Sequence, residues 1–341
     1  MTTNPDSLVD AVLGGRTLSE GESAAVFEAI MGGALSDERI EQLLLKMADR
    51  GETIDEIVGA ARVLRSHATP IACDAPNAID TCGTGGDGIN TFNVSTAAAL
   101  VAAGAGAVVA KHGNRSNSRA SGSAEVMAAL GVNVEAPPPV VERCLREIGF
   151  GFLHAARLHP AMGRVAAIRK KIGRPTIFNL LGPLANPARV RRQVVGVPRS
   201  ELLRKIATAL QRLGAIHVFV VHGEDGLCDL TITGPTQIME LSDDQLREST
   251  VRPQDVGLAP APLDVLRVTS AHESADAIRA ILGGEKGPRR DHTLLNAAAA
   301  LVVAGVAEKF GDGVRRAGEA IDSGAAAKVL DRLVELTRDA R

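Results

Sequence analysis

At Pro76 the chain changes its pattern, and that change limits the possible folds more than any other feature. Before it, the sequence reads as consecutive helices. Ser19-x-x-Glu22 is a capping box that opens a helix ending near Gly32-Gly33. Ser36 caps the next, with Asp37 and Glu38 in the first turn, where the helix dipole favours acids. Its stripe of Ile40, Leu43, Leu44 and Met47 has helical spacing. Thr53-x-x-Glu56 is a second capping box, followed by Ile54, Ile57, Val58, Ala61 and Leu64, and Pro70 closes the element. Such stripes are packing faces first, within the chain or against a second copy.

After Pro76, short apolar runs alternate with Gly-rich turns and Ala-rich helices. Candidate strands are residues 78–81, 108–111, 132–135, 193–197, 217–221 and 237–241. This alternation predicts an α/β domain with a central sheet. Ala136-Pro-Pro-Pro139 is a stiff turn before a helix near 140–148, and 325–341 reads as an amphipathic closing helix. A length of 341 residues leaves room for two domains at roughly 150 residues each.

Composition removes several function classes. Lys plus Arg is 38 against 40 for Asp plus Glu, a net charge of -2, which argues against a strongly basic nucleic-acid or membrane-surface binder. Seven Phe with no Trp or Tyr leave few platforms for stacking bases. The longest apolar run, 97–110, is too short to span a bilayer. Cys73, Cys82, Cys144 and Cys228 show no metal-ligand or CxxC spacing, and the start MTTNPDSLVD shows no signal peptide, so a reduced, cytoplasmic chain is expected.

The densest signal is DTCGTGGDGINTFNVST from Asp80. A short strand runs into Gly83, Gly85, Gly86 and Gly88, then a helix start near Ser95-Thr96. Glycines let backbone N–H groups approach an anion, and a helix N-terminus adds donors, so a phosphate or pyrophosphate suits the place. An ordinary Gly turn before an N-cap has the same look. A dinucleotide-binding reading, through Gly83, Gly85 and Gly88, wants an acid about 20 residues on. None lies between Asp87 and Glu125, so a dehydrogenase is the weaker reading.

Three further clusters follow. KHGNRSNSRASGSAE sets Lys111, Arg115 and Arg119 among small polar residues, as a multiply charged phosphate ester requires. HPAMGRVAAIRKKIG and FNLLGPLANP place His159 and Arg169 beside a nearly uncharged stretch; an Arg against an apolar wall suits an aromatic acid. VVHGEDGLCDLTITGPT offers Glu224, Asp225 and Asp229 as oxygen ligands for a hard cation. Read singly, each is equally a solvated loop, a helix cap or a core histidine.

Together, GTGGDG, NVST, KHGNR, SGSAE, HPAM, FNLLGPLANP and RDHTLLNAAAALVVAG resemble the anthranilate phosphoribosyltransferases, over nearly the whole chain. The resemblance implies a nucleoside phosphorylase/phosphoribosyltransferase-like fold. A helical domain of 1–72 plus a segment near 165–190 joins an α/β domain of 73–341, with homodimers formed through the helical part. It implies transfer of 5-phosphoribose from phosphoribosyl pyrophosphate to the amine of anthranilate in tryptophan biosynthesis, with release of pyrophosphate.

The resemblance also implies site residues. Gly83, Gly86, Asp87, Thr91, Asn93, Val94, Ser95 and Thr96 would hold phosphoribosyl pyrophosphate. So would Lys111, His112, Gly113, Asn114, Arg115, Ser116, Asn117, Ser118, Arg119 and Ser123. Gly83, Asn114, His159 and Arg169 would meet anthranilate, and His112 is the candidate base if one is needed. Ser95 and the acidic pair after the fourth strand would carry magnesium, two ions in all. Here the chain departs from the pattern: Cys228-Asp229 stands where Asp-Glu is usual. A thiol is a poor partner for magnesium. Other readings are a related transferase or nucleoside phosphorylase with another aromatic acceptor, and a non-catalytic module that lost a metal ligand.

Overall fold

The computed structural model describes residues 4–115 and 122–338. Four helices open the chain: α1 (Pro5–Leu13), α2 (Glu20–Gly32), α3 (Asp37–Arg50) and α4 (Ile54–Ser66). Both capping boxes form, at Ser19/Glu22 and Thr53/Glu56, and Ser36 accepts from the Arg39 N–H. Glu56 does more than cap. It is fully buried, pairs with Arg50 and accepts from the Leu18 N–H, so the second cap also ties α4 to the chain entering α2.

The sheet has seven strands: β1 (Ile79–Gly83), β2 (Val109–Gly113), β3 (Phe150–His154), β4 (Arg192–Gly196), β5 (His217–Gly223), β6 (Thr236–Ser242) and β7 (Gln245–Val251). Their spatial order is β3-β2-β1-β4-β5-β6-β7, parallel through β5 and antiparallel beyond it. The remaining helices are α5 (Val94–Gly104), α6 (Ser123–Ala129), α7 (Pro138–Ile148), α8 (Ala155–Leu158), α9 (Gly163–Ile172), α10 (Ile177–Leu181), α11 (Leu202–Arg212), α12 (Ala271–Leu282), α13 (Pro288–Val303), α14 (Phe310–Asp322) and α15 (Ala325–Arg338).

Period-2 alternation divides the strands between two cores. Val194, Phe219 and Val221 pack with α5 and α13. Val195, Val197, Val218 and Val220 pack on the other face with α11. That second cluster is continuous with the apolar stripes of α1–α4 and takes in Val165, Ile168, Ile177 and Phe178 from α9 and α10. The segment between β3 and β4 therefore leaves the sheet, packs among the N-terminal helices and returns.

Two strand expectations need correction. Residues 132–135 are not a strand: Gly131 has φ +96°, and Asn133 bonds to Thr337 near the end of α15. Their alternation reflects loop residues anchored to the core, not pleating. The strand of this region is β3, whose FGFLH is buried throughout and so lacks any alternation. The polar edge strand β7, QLRESTV, was also unexpected. It follows Asp243 and Asp244, both at positive φ as a tight hairpin requires. Among the described residues, no helix is long and apolar enough to cross a membrane.

Candidate active site

The strand order reverses at β1, with β2 and β3 to one side and β4 and β5 to the other. In parallel sheets the crevice beyond such a reversal, at the carboxyl ends of the strands, is where ligands bind. β1, β2, β4 and β5 all end there in glycine: Gly83, Gly113, Gly196 and Gly223. Close approach of neighbouring chain explains two of these. A Cβ on Gly196 would lie 1.5 Å from the Cys228 carbonyl oxygen, and one on Gly113 would lie 2.3 Å from Ser123 Oγ.

The loop after β1 is open backbone. Gly85, Gly86 and Gly88 have φ of +64°, +89° and +69°, and space around Gly85 and Gly88 is clear to 4 Å. Asp87 closes the loop from within: its carboxylate accepts from the Ile89 N–H and from the Cys228 N–H, at 3.0 and 3.1 Å. Thr91 is buried and bridges to Arg267, while Phe92 and Val94 sink into the core. Val94 can thus offer the crevice only its backbone. Asn93 caps α5 by accepting from the Thr96 N–H, and Ser95 Oγ donates to the same carboxamide oxygen.

Lys111 is less exposed than a phosphate-gripping loop lysine would be. Its Nζ is buried and donates to the Thr81 carbonyl at 2.5 Å and to Ser95 Oγ at 3.3 Å. Burial pushes its pKa down, opposed by Asp80. Asn114 and Arg115 are exposed beyond β2, and Ser123 Oγ donates to the Asn114 carbonyl. Ser116, Asn117, Ser118 and Arg119 lie outside the described residues.

Ser95, Cys228 and Asp229 come together around one cavity of about 10 Å³, shared with Thr81 and Asn296. The Cys228 thiol is buried and donates to the Gly85 carbonyl. Asp225 does not join them: it accepts from the Leu227 N–H and from the Thr231 and Thr233 hydroxyls, which commits it to its own loop. Glu224 faces solvent. Among the described residues no group of three His, Cys, Asp or Glu is poised to hold a metal.

On the other side of the crevice, His112 and His159 stand with ring centroids 5.1 Å apart. Burial first, then the neighbouring His159, pushes the His112 pKa down to about 3; burial pushes His159 down to about 4. Both rings are neutral near pH 7. His112 Nδ1 faces the Gly182 carbonyl at 3.1 Å, so Nδ1 carries the proton and Nε2 the lone pair. Nε2 of each ring is buried and makes no hydrogen bond. Arg169 lies with its guanidinium 5.5 Å from the Phe178 ring centroid, and burial lowers its pKa. Among the described residues no carboxylate pairs with it. A half-buried cation without a paired acid carries a desolvation cost that an anionic group would offset.

Sequence reasoning passed over Asp80, Gln193 and Asn186, three fully buried polar residues beneath the crevice. A polar residue at an inward strand position was the available signal.

The chain is similar to known proteins over nearly its whole length. Residues 7–68 match the glycosyl transferase family, helical bundle domain, and residues 75–327 the glycosyl transferase family, a/b domain. An anthranilate phosphoribosyltransferase of Anaeromyxobacter sp. (strain K) is 50% identical over 326 residues, 96% of each chain. The crystal structure of the Thermus thermophilus anthranilate phosphoribosyltransferase superposes with a TM-score of 0.92 at 42% identity, covering 97% of this chain and 99% of that one. The Saccharomyces cerevisiae enzyme in complex with PRPP and Mg gives 0.90 at 26% identity, covering 98% of each.

Proposed function

The chain belongs to the anthranilate phosphoribosyltransferases, and we propose that the crevice beyond β1 and β2 is where it performs that reaction. The enzyme transfers the 5-phosphoribosyl group of phosphoribosyl pyrophosphate to the amine of anthranilate, in tryptophan biosynthesis. The carrying observation is one of convergence. An open glycine loop suited to a polyanion follows β1, His112 near the end of β2 stands against His159 and the Gly182 carbonyl, and a half-buried Arg169, with no paired carboxylate among the described residues, rests on Phe178.

In this reading Gly83, Gly86, Asp87, Thr91 and the α5 start from Asn93 to Thr96 receive the phosphoribosyl pyrophosphate. Asn114, Arg115, Ser116, Asn117, Ser118, Arg119 and Ser123 bind it as well. Lys111 acts from beneath, holding the Ser95 hydroxyl and the end of β1. Arg169 takes the anthranilate carboxylate, and its fork matches that group bidentately.

Magnesium fits the donor set, because the Ser95 hydroxyl and Asp229 carboxylate are hard oxygen ligands at one cavity. When bound, the ion neutralises charge developing on the departing pyrophosphate. We assign two ions, the second held weakly because Cys228 replaces an acid.

Donors fixed before reaction stabilise the leaving group without reorganising, which is where most of the barrier is lost. The anomeric carbon becomes cationic as pyrophosphate leaves, so a weak arylamine nucleophile suffices when it is held in line. His112 and His159 are too weakly basic to hold a proton at pH 7. The His112 Nε2 lone pair instead accepts a hydrogen bond from the incoming amine and orients it, with the His159 ring lining the approach. Assembly as a homodimer through α1–α4 belongs to the same proposal.

The test follows anthranilate fluorescence after adding phosphoribosyl pyrophosphate, with and without magnesium; the absence of Trp and Tyr keeps the background low. Magnesium-dependent loss of anthranilate with release of pyrophosphate is expected. Retained binding of phosphoribosyl pyrophosphate with no anthranilate consumed would defeat the reading.

A further inference from the structure

The turn at residues 182–187 is held from outside. The His112 ring donates to the Gly182 carbonyl, Gln193 Nε2 to that of Pro183 at 2.7 Å, and Arg65 Nε to that of Leu184 at 2.6 Å. The Ile71 N–H reaches the Pro187 carbonyl. Asn186 Nδ2 bridges Asp80 Oδ2 and the Ala110 carbonyl, both at 2.9 Å. These donors arrive from α4, from the chain after it, and from strands β2 and β4. A three-residue 3₁₀ turn has poor internal hydrogen bonds, so its position is set by what grips it.

Gln193 has the most constrained of these grips. It is 1% exposed, and its strand neighbours Val195 and Val197 on the same face are packed in apolar surroundings. A buried amide there is costly unless bonded. Its cross-strand partner is Asp80, which holds the same turn through Asn186. The turn directly follows α10, which carries Phe178 against Arg169, and its first carbonyl fixes the His112 ring.

We propose that Gln193 is a positioning residue for the aromatic acceptor, setting the Pro183 turn and through it the places of Arg169 and His112. This rests on the functional reading above. Gln193 touches neither substrate in that reading; it acts through the turn. Satisfied buried networks of this kind specify one geometry, and a single missing donor frees it.

Gln193→Met keeps the volume and cannot donate. In steady-state assays beside the wild type, the KM for anthranilate is expected to rise about tenfold, a loss of about 1.4 kcal/mol of acceptor binding through the displaced turn. The KM for phosphoribosyl pyrophosphate should stay within about twofold, since the donors that hold the turn come from α4, the chain after it, β2 and β4 rather than from the glycine loop. An unchanged KM for anthranilate, or an equal rise for both substrates, overturns the proposal. Should that variant fail to fold, Asn186→Ala loosens the turn from its other end and must show the same split; a uniform effect overturns it equally. Wild-type turnover separates the two claims. No anthranilate turnover by the wild type defeats the functional reading and this inference with it, whereas normal wild-type turnover with an indifferent Gln193→Met defeats only the inference.

Discussion

In the function proposed above, replacing Arg169 by alanine should separate recognition of the acceptor carboxylate from the rest of the reaction. The guanidinium is half-buried, rests on Phe178 and has lost hydration without gaining an acid among the described residues, and burial lowers its pKa. A charge-assisted hydrogen bond to such a group contributes about 1.5–3 kcal/mol, and partial desolvation places this one in the upper half of that range. Loss of about 2–3 kcal/mol corresponds to a rise of roughly 30- to 150-fold in the KM for anthranilate. The KM for phosphoribosyl pyrophosphate should move by less than about twofold, because Arg169 rests on Phe178 of α10, whereas the proposed phosphoribosyl pyrophosphate contacts lie on the loop after β1 and the start of α5. Arg169→Lys keeps the charge but not the fork, and should fall between the two at about tenfold. Thermal stability should hold in Arg169→Ala, since the substitution removes a charge without an acid partner. Initial rates from anthranilate fluorescence, with each substrate varied in turn, supply both constants. Equal changes in both, or no change in either, would refute the assignment of Arg169 to the acceptor carboxylate.

Two further outcomes are expected. Cys228→Asp with Asp229→Glu restores the acidic pair of the family pattern, but sets a carboxylate against the Gly85 carbonyl that the thiol now bonds. The double variant should be less stable than the wild type without magnesium and should gain more Tm on adding it; differential scanning fluorimetry across a magnesium series decides, and identical magnesium responses would sink the idea. Acid should also weaken the fold early. His112, His159 and His292 are held by burial at about 3, 4 and 4, below the unfolded value near 6.5. The unfolded chain therefore takes up protons first, so stability is full above pH 6.5 and falls as pH drops towards 4. Each ring contributes up to about 1.4 kcal/mol per pH unit within that window. Urea midpoints at pH 7.5 and 5.5 should differ clearly, and coincident midpoints would contradict the buried, neutral assignment.

Local chemistry made much of this protein readable before its fold was known. Capping boxes at Ser19 and Thr53 mark helix starts because they satisfy backbone donors within four residues. The Gly83–Gly88 run before a helix start marks an open backbone loop for the same reason: backbone conformation and helix ends are short-range properties. The misreadings have the same root. Residues 132–135 alternate without pleating, because periodicity cannot see that Asn133 is tied to α15, 200 residues away in sequence. β3 shows no alternation because helices bury both its faces, and β7 shows little hydrophobicity because it lies at the exposed edge.

By itself, the sequence determined which residues could bind an anion, cap a helix or face a core, since those depend on side-chain chemistry and near neighbours. Only the tertiary structure decided which of them share a site. It turned Lys111 inward to hold Ser95, spent Asp225 on its own loop, and kept two histidines neutral by burying them against one another. It also brought Asp80 to Asn186 and Gln193, both more than 100 residues further along the chain, beneath the crevice. Burial and hydrogen-bond partners belong to the packed chain, so no window of sequence contains them.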